Sequence, residues 1–280
     1  MIEPGVLDVD VVADVRGRTR VRHLLQAYPQ RVTTPLYVDV DPRIAYLCVQ
    51  NPSGGIFADD SLHTAVAAGP GSHLLFTSQA ATQVFDGHDG PGATHQQRIR
   101  VADRAVVEFV PREIIPQADS RFAQDTEIDV RGSGLFVGWE MLASGRIGRG
   151  ERFRYRSLAC RTTVRVDGEV VARDALRFRR PEGRADDDDP LPERLIGANY
   201  CATLLVVAPT RSTGALRNAL RSALDALDVA SGVGALPGES GAIVRVLGTR
   251  APVMRAALAV CLAAIRSELL ILAPPPRRLI

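Results

Sequence analysis

The chain predicts a mainly-β protein with a small C-terminal piece in which strands alternate with helices, and three observations carry that assignment. Up to about Arg180, short runs rich in β-branched or alternating residues are cut by Gly, Pro, Asp and Asn, the pattern of many strands joined by turns. From Pro181 to Pro192 the sequence becomes PEGRADDDDPLP, a polar acidic stretch that cannot bury apolar surface and reads as an exposed loop. Beyond it the apolar period lengthens from two to about 3.6, so helices join the strands. The 280 residues are read as one domain, with a strand-rich body over 1–180, the acidic loop over 181–192 and a strand-helix-strand-helix piece over 193–280.

Taken in order, Arg16, Arg18, Arg20 and Arg22 fall at every second residue and would line one face of a strand. Such a ladder can dock on an acidic protein or on phosphate, or simply be a solvated face. Val101 to Val110, Thr126 to Val130, Leu135 to Glu140 and Thr162 to Val171 are predicted strands, the last turning at Asp167-Gly168, a dipeptide suited to a hairpin whose central positions need φ > 0. Asn199 to Ala208 reads as a buried strand. Leu216, Leu220, Leu224 and Leu227, with Ala219 and Ala223, form an apolar helical stripe that Ser212 or Thr213 would cap. Ala242 to Leu247 is one more strand between Gly241 and Gly248. Met254, Ala257, Leu258, Cys261, Ile265 and Leu269 form a second helical stripe, ended by the proline run at 274–276. No repeat of fixed period is visible, although a stack of strands can exist without one.

Composition narrows the function. With 46% hydrophobic and 24% charged residues the chain is that of an ordinary globular protein, and a net charge of +2 is too mild to argue for a polyanionic partner. All 34 residues counted as Lys or Arg are Arg. A P-loop and a Schiff-base site both need a Lys, so neither can be housed here. Cys48, Cys160, Cys201 and Cys261 lie far apart, which favours reduced thiols in the cytoplasm over a disulfide framework. No export signal and no apolar run of the ~20 residues a bilayer requires is visible.

Several residues invite chemistry. Asp60, in the turn after paired Gly54 and Gly55, is either a carboxylate that attracts a divalent cation or a cap of its own turn. Glu108, among Val106, Val107, Phe109 and Val110, is costly to bury alone. It either lines a water-filled path or partner contact, or forms half of a buried Arg pair. Glu140, beside the single tryptophan Trp139, admits the same two readings. The five histidines show no spacing for a tight metal site; His88 and His95 flank a Gly-rich segment read as a surface loop. GRIGRGERF, from Gly145 to Phe153, reads as a strand connection that resembles a phosphate nest only loosely.

Four phrases occur in a fixed order: NPSGGIFADDSL (Asn51 to Leu62), FTSQAATQVF (Phe76 to Phe85), VEFVPREIIP (Val107 to Pro116) and GRIGRGERF. Together they resemble the UreD family of urease accessory proteins, also called UreH, whose pattern runs roughly N-P-x-G-G-x-x-x-G-D-x-L, T-T-Q-A-A-T-K-x-Y, L-E-x-L-P-x-x-x-I and G-R-x-x-x-G-E-x-F. The chain departs from it at Asp59, where the pattern has Gly, and at Ser78, Gln83 and Phe85, where it has Thr, Lys and Tyr. Asp tolerates left-handed geometry, so the first turn can survive. The resemblance spans about Thr19 to Arg278.

It implies a β-helix-like stack of strands with two α-helices near the C-terminus, and a cytoplasmic scaffold rather than an enzyme. It further implies that the scaffold binds apo-urease, UreF and, through UreF, the GTPase UreG, and assists nickel insertion. No tightly bound cofactor is expected; nickel would pass transiently along a carboxylate-lined route, with Asp60, Glu108 and Glu140 as the candidate metal residues. The absence of Lys agrees, because nucleotide chemistry then belongs to a partner. The main alternative is a strand-stack enzyme acting on polysaccharide through paired carboxylates, Asp59 with Asp60 or Glu108 with Glu140. The 5% aromatic content argues against it, since sugar clefts usually offer aromatic platforms. It argues equally against a nucleic-acid module built on the Arg ladder.

Overall fold

A computed structural model of the protein describes residues 4–87, 90–180 and 197–276. The acidic run Asp186 to Asp189 and His88 lie outside the described residues. The chain opens with an antiparallel pair, β1 (Gly5–Ala13) and β2 (Thr19–Gln26), followed by the two-residue β3 (Arg31–Val32). It then coils. β4 (Ala45–Gln50), β5 (Gly55–Ile56) and β6 (Ser61–Ala68) make one turn of the coil, and β7 (His73–Ser78), β8 (Thr82–Val84) and β9 (Ala93–Val101) the next. β10 (Val106–Phe109), β11 (Ile114–Pro116) and β12 (Arg121–Val130) make the third. In the fourth, β13 (Leu135–Ala143) reaches β14 (Ser157–Val166) through a 3-10 turn at Ile147–Arg149.

Each strand pairs in parallel with its counterpart one turn later, so two large sheets and a narrow third side enclose a lumen, the β-helix-like stack that the resemblance implied. The first sheet runs β2-β1-β6-β9-β12-β14-β15, where β15 (Glu169–Arg179) returns antiparallel. The second runs β3-β4-β7-β10-β13-β16-β18-β17, ending in β16 (Tyr200–Val207), β18 (Gly241–Gly248) and β17 (Ala230–Ala235), all antiparallel. Ala45 stands opposite Leu74, Leu74 opposite Val107, and Val107 opposite Phe136. These spacings are unequal, which explains why no fixed period shows in the sequence.

Burial follows from what covers each face. β6 and β12 alternate strictly, with Leu62, Thr64, Val66 and Ala68, or Phe122, Gln124, Thr126, Ile128 and Val130, turned inward. The outer face of β12 carries Arg121, Asp125, Glu127 and Asp129, and that of β6 the small or polar Ser61, His63, Ala65 and Ala67, the signature of half-buried strands. β13 and β16 instead are buried on both faces, because α1 (Gly214–Asp225) and α2 (Ala251–Ile265) lie over the outside of the second sheet. Leu216, Leu220 and Leu224 of α1 and Met254, Ala257, Leu258, Cys261, Leu262 and Ile265 of α2 pack there with Val137, Trp139, Met141, Leu204, Val206, Val244 and Val246. A second core fills one end of the lumen around Leu7, Val9, Leu47, Leu74, Ile99, Ile128 and Val207. A third, around Ile56, Phe122, Leu142, Tyr155 and Leu158, fills the other.

Several local expectations are refined. The single strand predicted over Val101 to Val110 is two, broken by a turn at 102–105 where Arg104 takes φ 58° as the chain passes from one sheet to the other. Asp167 (φ 50°) and Gly168 (φ 95°) do form the β14–β15 hairpin. β17 went unanticipated because ASGVGA, an edge strand of small residues, carries no alternation. Thr213 is the N-cap of α1, but its hydroxyl donates to the Gly241 carbonyl instead of capping the helix. α2 continues as a π turn over Arg266–Leu270 and stops at Ile271 in left-handed geometry, before the prolines are reached. All four cysteines are buried free thiols.

Candidate functional site

Between the two apolar ends of the lumen lies a cavity of about 170 Å³, room for several waters. The stacked register explains it. Along the inward face of the first sheet, Leu62, His95, Gln124 and Cys160 stand in one row, and Leu7, Thr64, Gln97, Thr126, Thr162 and Asp174 in the next. Apolar rows flank them, with Ile99 and Ile128 on one side and Ala93, Phe122 and Leu158 on the other. Two polar rows inside a stack of apolar ones require water or each other as hydrogen-bond partners, because a buried polar group left unpaired costs about 1–3 kcal/mol. The facing wall contributes Phe76, Phe109, Gly138, Glu140, Thr203 and Leu205. At Gly138 a Cβ would meet the Phe136 ring at 2.5 Å, so glycine lets that ring lie along the wall.

The polar side chains form two hydrogen-bonded sets, a chain from Gln30 to Thr126 and the pair Gln124–Glu140. Gln30 Nε2 donates to the carbonyls of Gly5 (2.9 Å) and His63 (3.0 Å), and its Oε1 accepts from Thr64 Oγ1 at 2.7 Å. With its proton so used, Thr64 Oγ1 accepts from His95 Nε2 at 2.9 Å, which fixes the neutral His95 tautomer and leaves Nδ1 facing Gln97 Nε2 at 3.4 Å. Thr126 donates to Gln97 Oε1 at 3.0 Å. Burial, with the nearby His63 adding to it, holds the His95 ring down to about 4, so it is an uncharged base at neutral pH. Gln124 Nε2 crosses the lumen to Glu140 Oε2 at 2.5 Å. Burial pushes the Glu140 carboxyl up to about 7, Asp174 adding to the rise while Arg245 and Gln124 oppose it. The arrangement offers a line of amide, hydroxyl, imidazole and carboxylate groups along the cavity wall, oxygen and nitrogen ligands set apart from one another. No group of three or more potential metal ligands converges among the described residues.

The three carboxylates picked out in the sequence do not come together. Glu140 lines the cavity. Glu108 lies on the opposite face of the second sheet, wholly buried, where Arg266 Nε and Nη2 donate to its two oxygens at 2.9 and 2.8 Å and His73 Nε2 approaches at 2.6 Å. Arg266 also donates to both oxygens of Asp39 at 3.0 Å. Of the two readings open for Glu108, the geometry is that of the buried Arg pair. Burial alone would raise its carboxyl, but His73 and Arg266 hold it near 2. Asp60 caps its own turn, its Oδ2 accepting from the Phe57 backbone N–H at 2.8 Å, and does not line the cavity, although Asn51, Gly54, Gly55 and Ile56 of the same loop do. Asp59 takes the left-handed φ of 71° that the family pattern gives to Gly.

Other motifs resolve quietly. Of the expected Arg ladder only Arg20 and Arg22 lie on a strand, β2, where they pair with Asp14 and Asp10; Arg16 and Arg18 lie in the connection from β1, Arg18 3.6 Å over the Tyr37 ring, so the four do not share one strand face. Arg146 pairs with Glu151 inside the GRIGRGERF turn. The segment from Thr77 to Thr82 borders the cavity instead of packing in a core. Sequence reading missed Gln30, Thr64, Gln97, Gln124, Thr126 and Asp174. For all but Gln30, which lies in the connection between β2 and β3, the signal was a polar residue at the inward parity of an otherwise apolar strand. With Glu108 and Glu140 on opposite faces of one sheet and Asp59 and Asp60 in an exposed turn, neither pair is placed for glycoside hydrolysis, which needs two carboxylates flanking one bond.

Comparison with known proteins agrees with the family pattern. Residues 3–279 match the family model described as UreD urease accessory protein. A urease accessory protein UreD of Mycolicibacterium gilvum is 46% identical, covering 96% of each chain. A urease accessory protein UreD 2 of Streptomyces griseus is 34% identical over 87% of this chain and 82% of the relative. One from Natronomonas pharaonis is 31% identical over 95% and 89%. No helix among the described residues is long and apolar enough to cross a membrane. A match over nearly the whole length places the chain in the UreD family of urease accessory proteins, which are maturation factors and not enzymes.

Proposed function

We propose that this protein is a cytoplasmic maturation scaffold that binds apo-urease together with UreF and, through UreF, the GTPase UreG, and that nickel passes through its lumen toward the urease active site. The observation that supports this reading is the pair of polar rows that lines a cavity inside an otherwise apolar β-stack. A divalent cation with a tightly held water shell needs oxygen or nitrogen ligands at each step, and delivery needs those ligands to be weak. Glu140 is the lumen's cation acceptor in this scheme, its proton leaving as the cation arrives. Asp60 is the proposed outer acceptor, on the loop beside the cavity. Glu108 serves by anchoring the C-terminal helical unit to the stack. Nickel is cargo, and the Lys-free chain leaves GTP hydrolysis to UreG.

The test is the nickel content and activity of urease from cells lacking this gene, complemented at limiting nickel with wild type, Asp60→Ala or Glu140→Gln. Apo-urease in the deletion, rescue by wild type and poor rescue by Glu140→Gln are expected. Nickel-loaded, active urease in the deletion would end the maturation reading.

A further inference from the structure

Among the described residues the cavity lining contains two carboxylates, Asp174 and Glu140, from facing sheets. Asp174 points inward from β15, in register with Thr162. Glu140 is in register with Thr203, and Thr203 with Arg245 of β18. Val244 and Val246, on either side of Arg245, are buried against the helices, so strand parity sends Arg245 to the lumen side. There its Nη2 donates to Asp174 Oδ1 at 2.7 Å, bridging the two sheets at the end of the cavity. The pair is only partly covered, with side-chain exposures of 35% and 26%, so it stands at a rim between cavity and solvent. Glu140 makes no ion pair among the described residues, its close partner being the neutral Gln124 amide.

Resting on the reading that the lumen carries a divalent cation, we infer that Arg245 sets how tightly the lumen holds that cation, by occupying Asp174 and leaving Glu140 as the one lining carboxylate without a cationic partner. Affinity for hard and borderline cations climbs with the number of charged ligands that a site presents. Two free carboxylates facing each other across this cavity would retain Ni²⁺; one carboxylate among amides and hydroxyls releases it. Arg suits the task because its guanidinium stays charged at every physiological pH, so the compensation does not titrate away.

Equilibrium dialysis of Ni²⁺ against the purified full chain tests this. Arg245→Gln is expected to bind at least tenfold more tightly than wild type, Arg245→Lys to stay within about threefold of wild type because it keeps the cation, and Arg245→Gln/Asp174→Asn to lose the gain. In cells, Arg245→Gln is expected to slow nickel loading of urease. Asp174→Asn alone, close in shape to wild type, leaves Arg245 uncompensated beside Glu140 and is expected to weaken binding at least threefold. That variant keeps the inference testable if Arg245→Gln fails to fold. Unchanged affinity in Arg245→Gln, an equal gain in Arg245→Lys, a gain that survives in the double variant, or unweakened binding in Asp174→Asn would each overturn it. These titrations contain no urease, so their failure is distinct from failure of the maturation reading, which the gene deletion decides.

Discussion

Gln124 of the first sheet donates a 2.5 Å hydrogen bond to Glu140 of the second, tying the two walls of the lumen together through a carboxyl that burial has lifted to about 7. A folded-state value above the ordinary 4.5 means that the native protein binds more protons than the unfolded chain between those two pH values. Stability contributed at this site is therefore full below about 4.5 and declines as pH rises to about 7, beyond which the loss is complete. We expect Glu140→Gln to match wild type in urea denaturation at pH 4.5 and to exceed it by about 3 kcal/mol at pH 8.

Glu108 carries the opposite sign. Held near 2 by His73 and Arg266 against the effect of burial, it contributes stability that is present above about 4.5 and lost as pH falls toward 2. Removing one partner of a buried pair leaves the other charge uncompensated and costs about 3–5 kcal/mol. Arg266→Ala should show a loss of that size at pH 7 by chemical denaturation, with Glu108→Gln, which keeps the shape, losing less.

Leu220 of α1 is fully buried in the layer between the helices and the second sheet. Leu220→Ala should destabilise by about 2–5 kcal/mol, measured as a lowered denaturation midpoint at unchanged slope.

Asp60 separates a turn from a path. Losing its bond to the Phe57 N–H should cost about 1 kcal/mol in Asp60→Ala, while Asp60→Asn retains the acceptor oxygen and the stability. If Asp60 also receives the cation, Asp60→Asn should be as stable as wild type yet load urease with nickel more slowly; equal loading would confine the residue to its turn.

The strand-rich body, the buried β16, both helices and the hairpin at Asp167-Gly168 were legible because each is a local pattern of period, capping or turn chemistry. Glu108 was legible as a problem but not as a solution, since its partner Arg266 lies 158 positions away and no local pattern links them. The lumen was hidden for the same reason. Thr64, Gln97, Thr126 and Thr162 look like ordinary strand residues one at a time, and only the register of four coils stacks them into a polar row. Asp174 and Arg245 meet because the antiparallel ends of two sheets happen to close the same rim, a relationship that tertiary structure alone creates.

The most direct test of the central claim is the nickel content of urease from deletion cells that carry a dried lumen. Gln97→Leu/Thr126→Val replaces the two central polar side chains of the row by apolar ones of similar volume and leaves the outer surface, the helices and the Glu108 cluster unaltered. At limiting nickel, wild type should restore loaded urease, and the dried variant, though folded, should leave it mostly empty. Full nickel loading by the dried variant would contradict passage through the lumen.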